Sequence, residues 1–289
     1  MLTTRLRTLV LTFGLLSLAR MIHAETAPLN IYARTNLSLN GKWAYIIDPY
    51  ENGFYDYRHM PYDASPNPTG GYFLDRKPRD KTELIEYNFD QSPTLTVPGD
   101  WNSQDQRLLY YEGTLWYRRL FDYKASAADR RLFIYFGAAN YEADVYLNGK
   151  KLGHHVGGFT PFSFEVTGAV KASGNSLVVR IDNKRHLDAV PTVNTDWWNY
   201  GGLTRDVLLV ETAPTFIRDY HVQLKKGVRG EIEASVRLDG SQKQQRVTIE
   251  IPDARISASA DTNADGVAHF TIAAPQLELW SPTHPRRYD

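Results

Sequence analysis

Apolar residues recur at every second position through most of this chain, and that period decides the fold class. In EIEASVRL, residues 231–238, Ile232, Ala234, Val236 and Leu238 fall on one side, and Glu231, Glu233, Ser235 and Arg237 on the other. Successive side chains of an extended strand point to opposite faces, so the run reads as a half-buried strand. QRVTIEI and AHFTI repeat the pattern later in the chain, as RLFIYF, PFSFEV and SLVVRI do earlier. Turn-forming residues separate the runs. Asn148-Gly149 within VYLNGKKL is the strongest of these signals, because both central residues of a type I′ hairpin turn need positive φ. Past the first two dozen residues no stretch carries the 3.6-residue period of a long amphipathic helix. The expected class is all-β, built from packed antiparallel sheets.

The 289 residues suffice for two cores. The division falls within ETAPTFIRDY, residues 211–220, where a proline follows one strand-like run and precedes another. Residues 25–215, with long loops, suit a jelly-roll β-sandwich, and residues 216–289, with short, evenly spaced strands, suit an immunoglobulin-like β-sandwich. Residues 50–93 are rich in Tyr, Pro, Gly and Asp and read either as an ordered insertion on the first sandwich or as a disordered linker. Residues 1–24 differ from the rest: Arg5 and Arg7 precede the apolar run LVLTFGLLSLA, and Ala24 closes a cleavage-like site. That pattern is a secretory signal peptide, with a membrane anchor as the alternative. Export to a periplasm or the cell exterior is the expected localisation. The absence of cysteine means that no disulfide framework is involved. Lys plus Arg equal Asp plus Glu at 33 each, so no global field attracts nucleic acid.

Most chemical motifs fail on inspection. DTNADG, residues 261–266, begins like an EF-hand loop, but its twelfth position is Ile272 where a bidentate glutamate is required, and strands flank it. It reads as a hairpin turn. His154 and His155 are adjacent on an extended run and point to opposite faces, and no further ligand completes a metal set. No phosphate loop, dinucleotide fingerprint or nucleophile elbow occurs, so neither cofactor nor metal is expected. Most acids read as solvent-facing residues of strands.

Residues 194–207, NTDWWNYGGLTRDV, are the exception. A carboxylate can accept hydrogen bonds from vicinal hydroxyls, while an indole face covers the apolar C–H side of a pyranose. The stretch reads either as a sugar contact or as a Trp/Tyr corner stacked on the sheet, with Arg205 paired to a neighbouring acid. Gly201-Gly202 lets the chain turn back into the next strand.

SLNGKW (residues 38–43), LTVPGDWN (95–102), GTLWYRRLF (113–121), ADVYLNGKKLGHHVGGFTPFSFEVT (143–167), DWWNYGGLTRDV (196–207) and LWSPTHPRRYD (279–289) together resemble glycoside hydrolase family 2, in order and spacing. The family includes β-glucuronidases, β-galactosidases and β-mannosidases. The resemblance implies a sugar-binding jelly roll, an immunoglobulin-like sandwich and a catalytic (β/α)₈ barrel of about 250 residues, for which this sequence has no room. Both catalytic glutamates of the family lie on that barrel, one in an Asn-Glu pair that does not occur here, so no catalytic residue transfers. By the same resemblance Asp196 is a substrate contact, Trp197 is a weaker candidate beside it, and Asp100 stands where galactosidases of the family place a sugar-contacting amide. Trp198, Tyr200 and the Arg205-Asp206 pair are expected to hold the loop.

The leading expectation is the non-catalytic N-terminal region of an exported family 2 enzyme acting on a β-linked glycoside or oligosaccharide, glucuronidase-like rather than galactosidase-like, and inactive without its barrel. A freestanding carbohydrate-binding protein and a sandwich scaffold are the alternatives. No nucleic-acid partner is expected, and association into a homo-oligomer is left open.

Overall fold

The structure, a computed structural model, describes residues 27–85 and 87–289. The leader read at residues 1–24 lies outside them. Through residue 212 the strands are β1 (Asn36–Ser38), β2 (Gly41–Ile47), β3 (Thr94–Val97), β4 (Thr114–Phe121), β5 (Arg131–Phe136), β6 (Glu142–Leu147), β7 (Lys150–Val156), β8 (Phe162–Glu165), β9 (Asn175–Asp182) and β10 (Val207–Thr212). They form a six-stranded sheet of order β3-β2-β4-β9-β6-β7 and a four-stranded sheet of order β1-β10-β5-β8. The pairings within them are antiparallel. Asn148 and Gly149, at φ 53° and 78°, make the tight β6–β7 turn that their dipeptide signals.

The period of two explains how the sheets pack. Leu115 and Tyr117 of β4, Leu177, Val179 and Ile181 of β9, and Ala143, Val145 and Leu147 of β6 face inward. They meet Ile134 and Phe136 of β5 and Val207 and Leu209 of β10, and all are buried in one core.

The outer face of the six-stranded sheet corrects the sequence reading in two ways. Residues 50–85 and 87–93 lie on it: Phe54, Phe73 and Phe89 pack on Ile46, Trp116, Tyr146 and Val178, the residues that alternate with the inward-facing set. Both faces of the central strands are therefore covered, where each run suggested a half-buried strand. Several acids expected on solvent faces are also inside. Asp144 and Asp182 are buried, beside the equally buried Arg180. The Arg180 guanidinium donates to Asp144 at 3.0 Å and to Glu51 at 2.6 Å, and lies 4.3 Å from the centre of the Phe54 ring. Arg118 does the same at a second point, reaching Asp75 at 2.9 Å and Asp90 at 2.7 Å. Two arginines of β4 and β9 thus clamp the insertion through carboxylates that the insertion supplies. Burial opposes ionisation of Glu51, but Arg180 and Lys184 outweigh it and hold this carboxyl below its usual range. Asp144 is likewise held low: burial works against its charge, and His154, Lys151 and Arg180 together prevail.

From residue 216 on, β11 (Phe216–Leu224), β12 (Glu231–Asp239), β13 (Arg246–Ile251), β14 (Ile256–Asp261) and β15 (Val267–Ala273) form a three-stranded sheet, β11-β12-β15, and a two-stranded sheet, β13-β14. Ile232, Ala234, Val236 and Leu238 of β12 are buried against Phe270 and Ile272 of β15 and Val247 of β13, the set that the alternation in EIEASVRL singles out. DTNADG is not a hairpin turn: β14 pairs with β13 and β15 with β12, so it is a corner by which the chain changes sheets. Asn263 makes that corner by accepting from the backbone N–H groups of Asp265 and Val267. At the junction with the first sandwich, Phe216 is buried edge-on to Phe133 at 5.7 Å. Arg131 there bridges Glu165 and Asp239.

Candidate functional site

Residues 183–206 connect β9 to β10 across one end of the first sandwich. Buried amides hold the base of this connection. Asn183 donates to the carbonyl of Asn199 at 3.1 Å, and Asn199 returns the bond to the carbonyl of Asn183 at 2.5 Å. Asn102 accepts from the N–H of Gly201 at 3.0 Å, and Asn140 donates to the carbonyl of Tyr200. Buried amides paired in this way specify one loop geometry, because breaking the bonds of Asn183, Asn199 and Asn102 would leave polar groups desolvated and unbonded; among the described residues, the buried Oδ1 of Asn140 is the one atom of the set without a partner.

The two glycines have separate reasons. A Cβ on Gly201 would lie 2.1 Å from Cζ2 of Trp101, so the indole occupies the space of any side chain there. Gly202 sits at φ 124°, a conformation that L side chains rarely adopt. The reading of this pair as the place where the chain turns back into a strand therefore rests on one close approach and one backbone angle.

Above this base the tip is open. The Asp196 carboxylate is exposed and has no hydrogen-bond or ion-pair partner among the described residues. Trp197 beside it is 60% exposed. Trp198 stacks against Tyr110 at 5.3 Å and Tyr200 at 6.4 Å, a three-ring rim. A cavity of about 240 Å³ is lined by Tyr110, Glu112, Arg185, Asp196, Trp197 and Trp198 among others. It is smaller than the roughly 300–1,000 Å³ of a typical small-molecule site, so it suits one sugar ring held on one side. A free carboxylate can accept two hydroxyl hydrogen bonds there while an exposed indole covers a C–H face.

Asp196 and Trp197 are thus brought together, but Asp100 is not among the residues lining the cavity. Its carboxylate accepts from the N–H of Ser103 at 2.7 Å and the Ser103 hydroxyl at 2.8 Å, closing its own turn. The expected Arg205–Asp206 pair does not form. Arg205 donates to the carbonyl of Phe159 at 3.3 Å. Asp206 accepts from Tyr32 at 2.8 Å and Asn40 at 2.9 Å. The Tyr32 hydroxyl is pushed up to about 12, first by that hydrogen bond and then by burial. Both residues still anchor the end of the loop, to different partners. Sequence reasoning missed Arg185, Glu112 and Tyr110. Arg185 and Glu112 bond to each other at 3.0 Å across 73 residues of sequence, a separation that no local pattern reports. His154 bonds to Asp144 and His155 stacks on Phe162, so the two histidines diverge. Among the described residues no three His, Cys, Asp or Glu side chains gather in a way that could hold a metal.

The first domain is a two-sheet antiparallel β-sandwich that presents an exposed carboxylate and indole at one end. Residues 37–214 match the family described as glycosyl hydrolases family 2, sugar binding domain, and the chain belongs to that family. A β-glucuronidase of Bacteroides fragilis is 38% identical over 127 residues, which are 43% of this chain and 18% of that protein. A β-galactosidase of Thermoanaerobacter pseudethanolicus is 25% identical over 239 residues, 73% of this chain and 31% of that protein. Among solved structures, Bifidobacterium dentium β-glucuronidase complexed with coumarin-3-O-glucuronide superposes with a TM-score of 0.69 at 26% identity, over 92% of this chain and 46% of that one. The chain therefore spans between 18% and 46% of the length of these relatives.

Proposed function

We propose that this chain is the sugar-binding, non-catalytic portion of an exported family 2 glycoside hydrolase, and that it recognises β-linked glycosides, β-glucuronides in preference to β-galactosides. The observation that carries the reading is the unpartnered Asp196 carboxylate beside the exposed Trp197, at the cavity of a domain matched to the family's sugar-binding domain. Asp196 accepts sugar hydroxyls and Trp197 covers the ring. Asp100 serves the turn that carries Trp101 and Asn102 rather than the sugar. Hydrolysis belongs to residues outside this chain, and residues 1–24 direct export. The preference for glucuronides is supported by the β-glucuronidases among the similar proteins and structures.

The test is titration of the purified chain with phenyl β-glucuronide and phenyl β-galactoside, read by tryptophan fluorescence. A hydrogen bond to a charged group is worth about 1.5–3 kcal/mol, so Asp196→Ala weakens binding by about ten-fold or more. Wild-type chain that binds neither glycoside, or an Asp196→Ala variant with unchanged affinity, defeats the assignment. Hydrolysis by a clean preparation defeats the non-catalytic part of it.

A further inference from the structure

The loop that carries Asp196 is held in an unusual way. Across residues 187–197, two of the hydrogen bonds among the described residues close within the loop's own course, Ala189 N–H to the His186 carbonyl and the Thr192 hydroxyl to the Leu187 carbonyl. The others come from Arg185, whose Nη1 donates to the Thr195 hydroxyl at 3.1 Å and to the Thr195 carbonyl at 3.5 Å. Arg185 is itself tied to the body of the sandwich, because its Nε donates to Glu112 at 3.0 Å. Glu112 is fixed in turn: the next residue, Gly113, donates its N–H to the buried Asn183 side chain at 2.8 Å. The Arg185 side chain is 21% exposed, and its planar fork is suited to two fixed acceptors at once.

We infer that Arg185 is a positioning residue for the sugar site, a brace that holds Thr195 and so directs the adjacent Asp196 carboxylate into the cavity, with Glu112 as the anchor of the brace. The inference rests on the sugar-binding reading for its purpose but not for its mechanics. Arg185 lines the cavity wall; its Nε and Nη1 are committed to Glu112 and Thr195, so the brace acts through Thr195 and Asp196, and a double variant with Asp196→Asn distinguishes it from direct contact of Nη2 with the ligand. A lysine, with one terminal nitrogen and no fork, keeps the pairing with Glu112 or the bond to Thr195 but not both geometries.

Two measurements on the full chain separate this inference from the function it serves. Backbone ¹⁵N order parameters over residues 192–198 are expected to fall below about 0.6 in Arg185→Ala, and by less in Arg185→Lys and Glu112→Gln, while residues 177–181 of β9 keep rigid values of about 0.85. Unchanged order parameters at 192–198, or an equal fall in β9, overturn the inference. Phenyl β-glucuronide affinity is expected to fall about ten-fold in Arg185→Ala against wild type, and by less than two-fold when the same change is made in Asp196→Asn. An equal fall in both backgrounds means that Arg185 touches the ligand directly and also overturns it. A wild-type chain without glycoside affinity rejects the proposed function, while the order parameters still decide the role of Arg185.

Discussion

Gly201→Ala is the sharpest test of how the site is built, because the cost is steric alone. Gly201 is not in the left-handed region, so alanine meets no backbone penalty there. Its methyl would lie 2.1, 2.5 and 2.6 Å from three carbons of the Trp101 indole, against an optimum of about 3.5–4.0 Å. The ring cannot give way, since Trp101 is fully buried in the main core. The loop cannot retreat without losing the bond from Gly201 N–H to Asn102 at 3.0 Å and the bond from Trp101 N–H to the Gly201 carbonyl at 2.9 Å. Overpacking of this kind costs about 1–3 kcal/mol, and each broken hydrogen bond adds about 0.5–1.5. A loss on the order of 3 kcal/mol lowers the melting temperature of a domain this size by about 6–12 °C. Gly168→Ala is the control: φ is 77° and nothing lies within 4 Å of the added carbon, so only the left-handed backbone cost of about 1–2 kcal/mol applies. Thermal and urea unfolding of both variants measure the difference. In a Trp101→Leu background the ring is gone, and Gly201→Ala is expected to cost at least 1 kcal/mol less, a coupling typical of residues in contact. A Gly201→Ala variant within 1 kcal/mol of wild type, or strict additivity with Trp101→Leu, refutes the packing argument.

Arg180→Met is expected to destabilise the first sandwich by about 3 kcal/mol, at the low end for a broken buried pair, because Asp144 keeps Lys151 and Asp182 keeps Lys184 when the shared arginine is lost. Limited proteolysis should then cut first within residues 50–93, which Arg180 helps to clamp; cleavage elsewhere first would contradict that role. Stability should also fall in acid. Glu51, Asp144 and Glu165 have carboxyls held below their usual values in the folded chain. Their contribution is therefore complete above the unfolded values of about 4 and is lost as pH falls through the lower folded values. Asp48, raised by burial, acts in the opposite sense and offsets part of the effect. Melting midpoints should fall gently from about pH 7 to 5, because burial holds the His155 imidazole below its usual value and the unfolded chain takes up that proton first. They should drop more steeply below about 4, with a shallower drop in Glu51→Gln; a midpoint that rises below pH 4 would contradict the assignment.

Alternation made the strands legible, since the face on which a side chain lies depends only on its place along an extended backbone. The inward set of β12 and the turn at Asn148-Gly149 could be read directly for that reason. The second covering layer could not be read. Whether Trp116, Tyr146 and Arg180 face water or an insertion depends on a segment some hundred residues away, and the alternation is the same in either case. The corner at DTNADG was misread for a related reason: a turn sequence states that the chain bends, not which strand the next run will pair with. Asp196 and Trp197 stood out in the sequence because a carboxylate beside an indole carries its own chemistry, and the structure leaves both exposed at the loop tip. The Arg205–Asp206 pair was misread because adjacency in sequence suggested a contact that Phe159, Tyr32 and Asn40 take instead.

By itself, the order of residues determined an all-β chain, the positions of its turns, its family and the loop that sets a carboxylate beside an indole. These follow from local geometry and from motifs contiguous in sequence. The tertiary structure alone decided which acids are buried, why Gly201 must lack a side chain, and that Arg185 braces Thr195 from Glu112. Each of these depends on groups 73 or more residues apart meeting within about 3 Å, and only the packed sandwich brings them together.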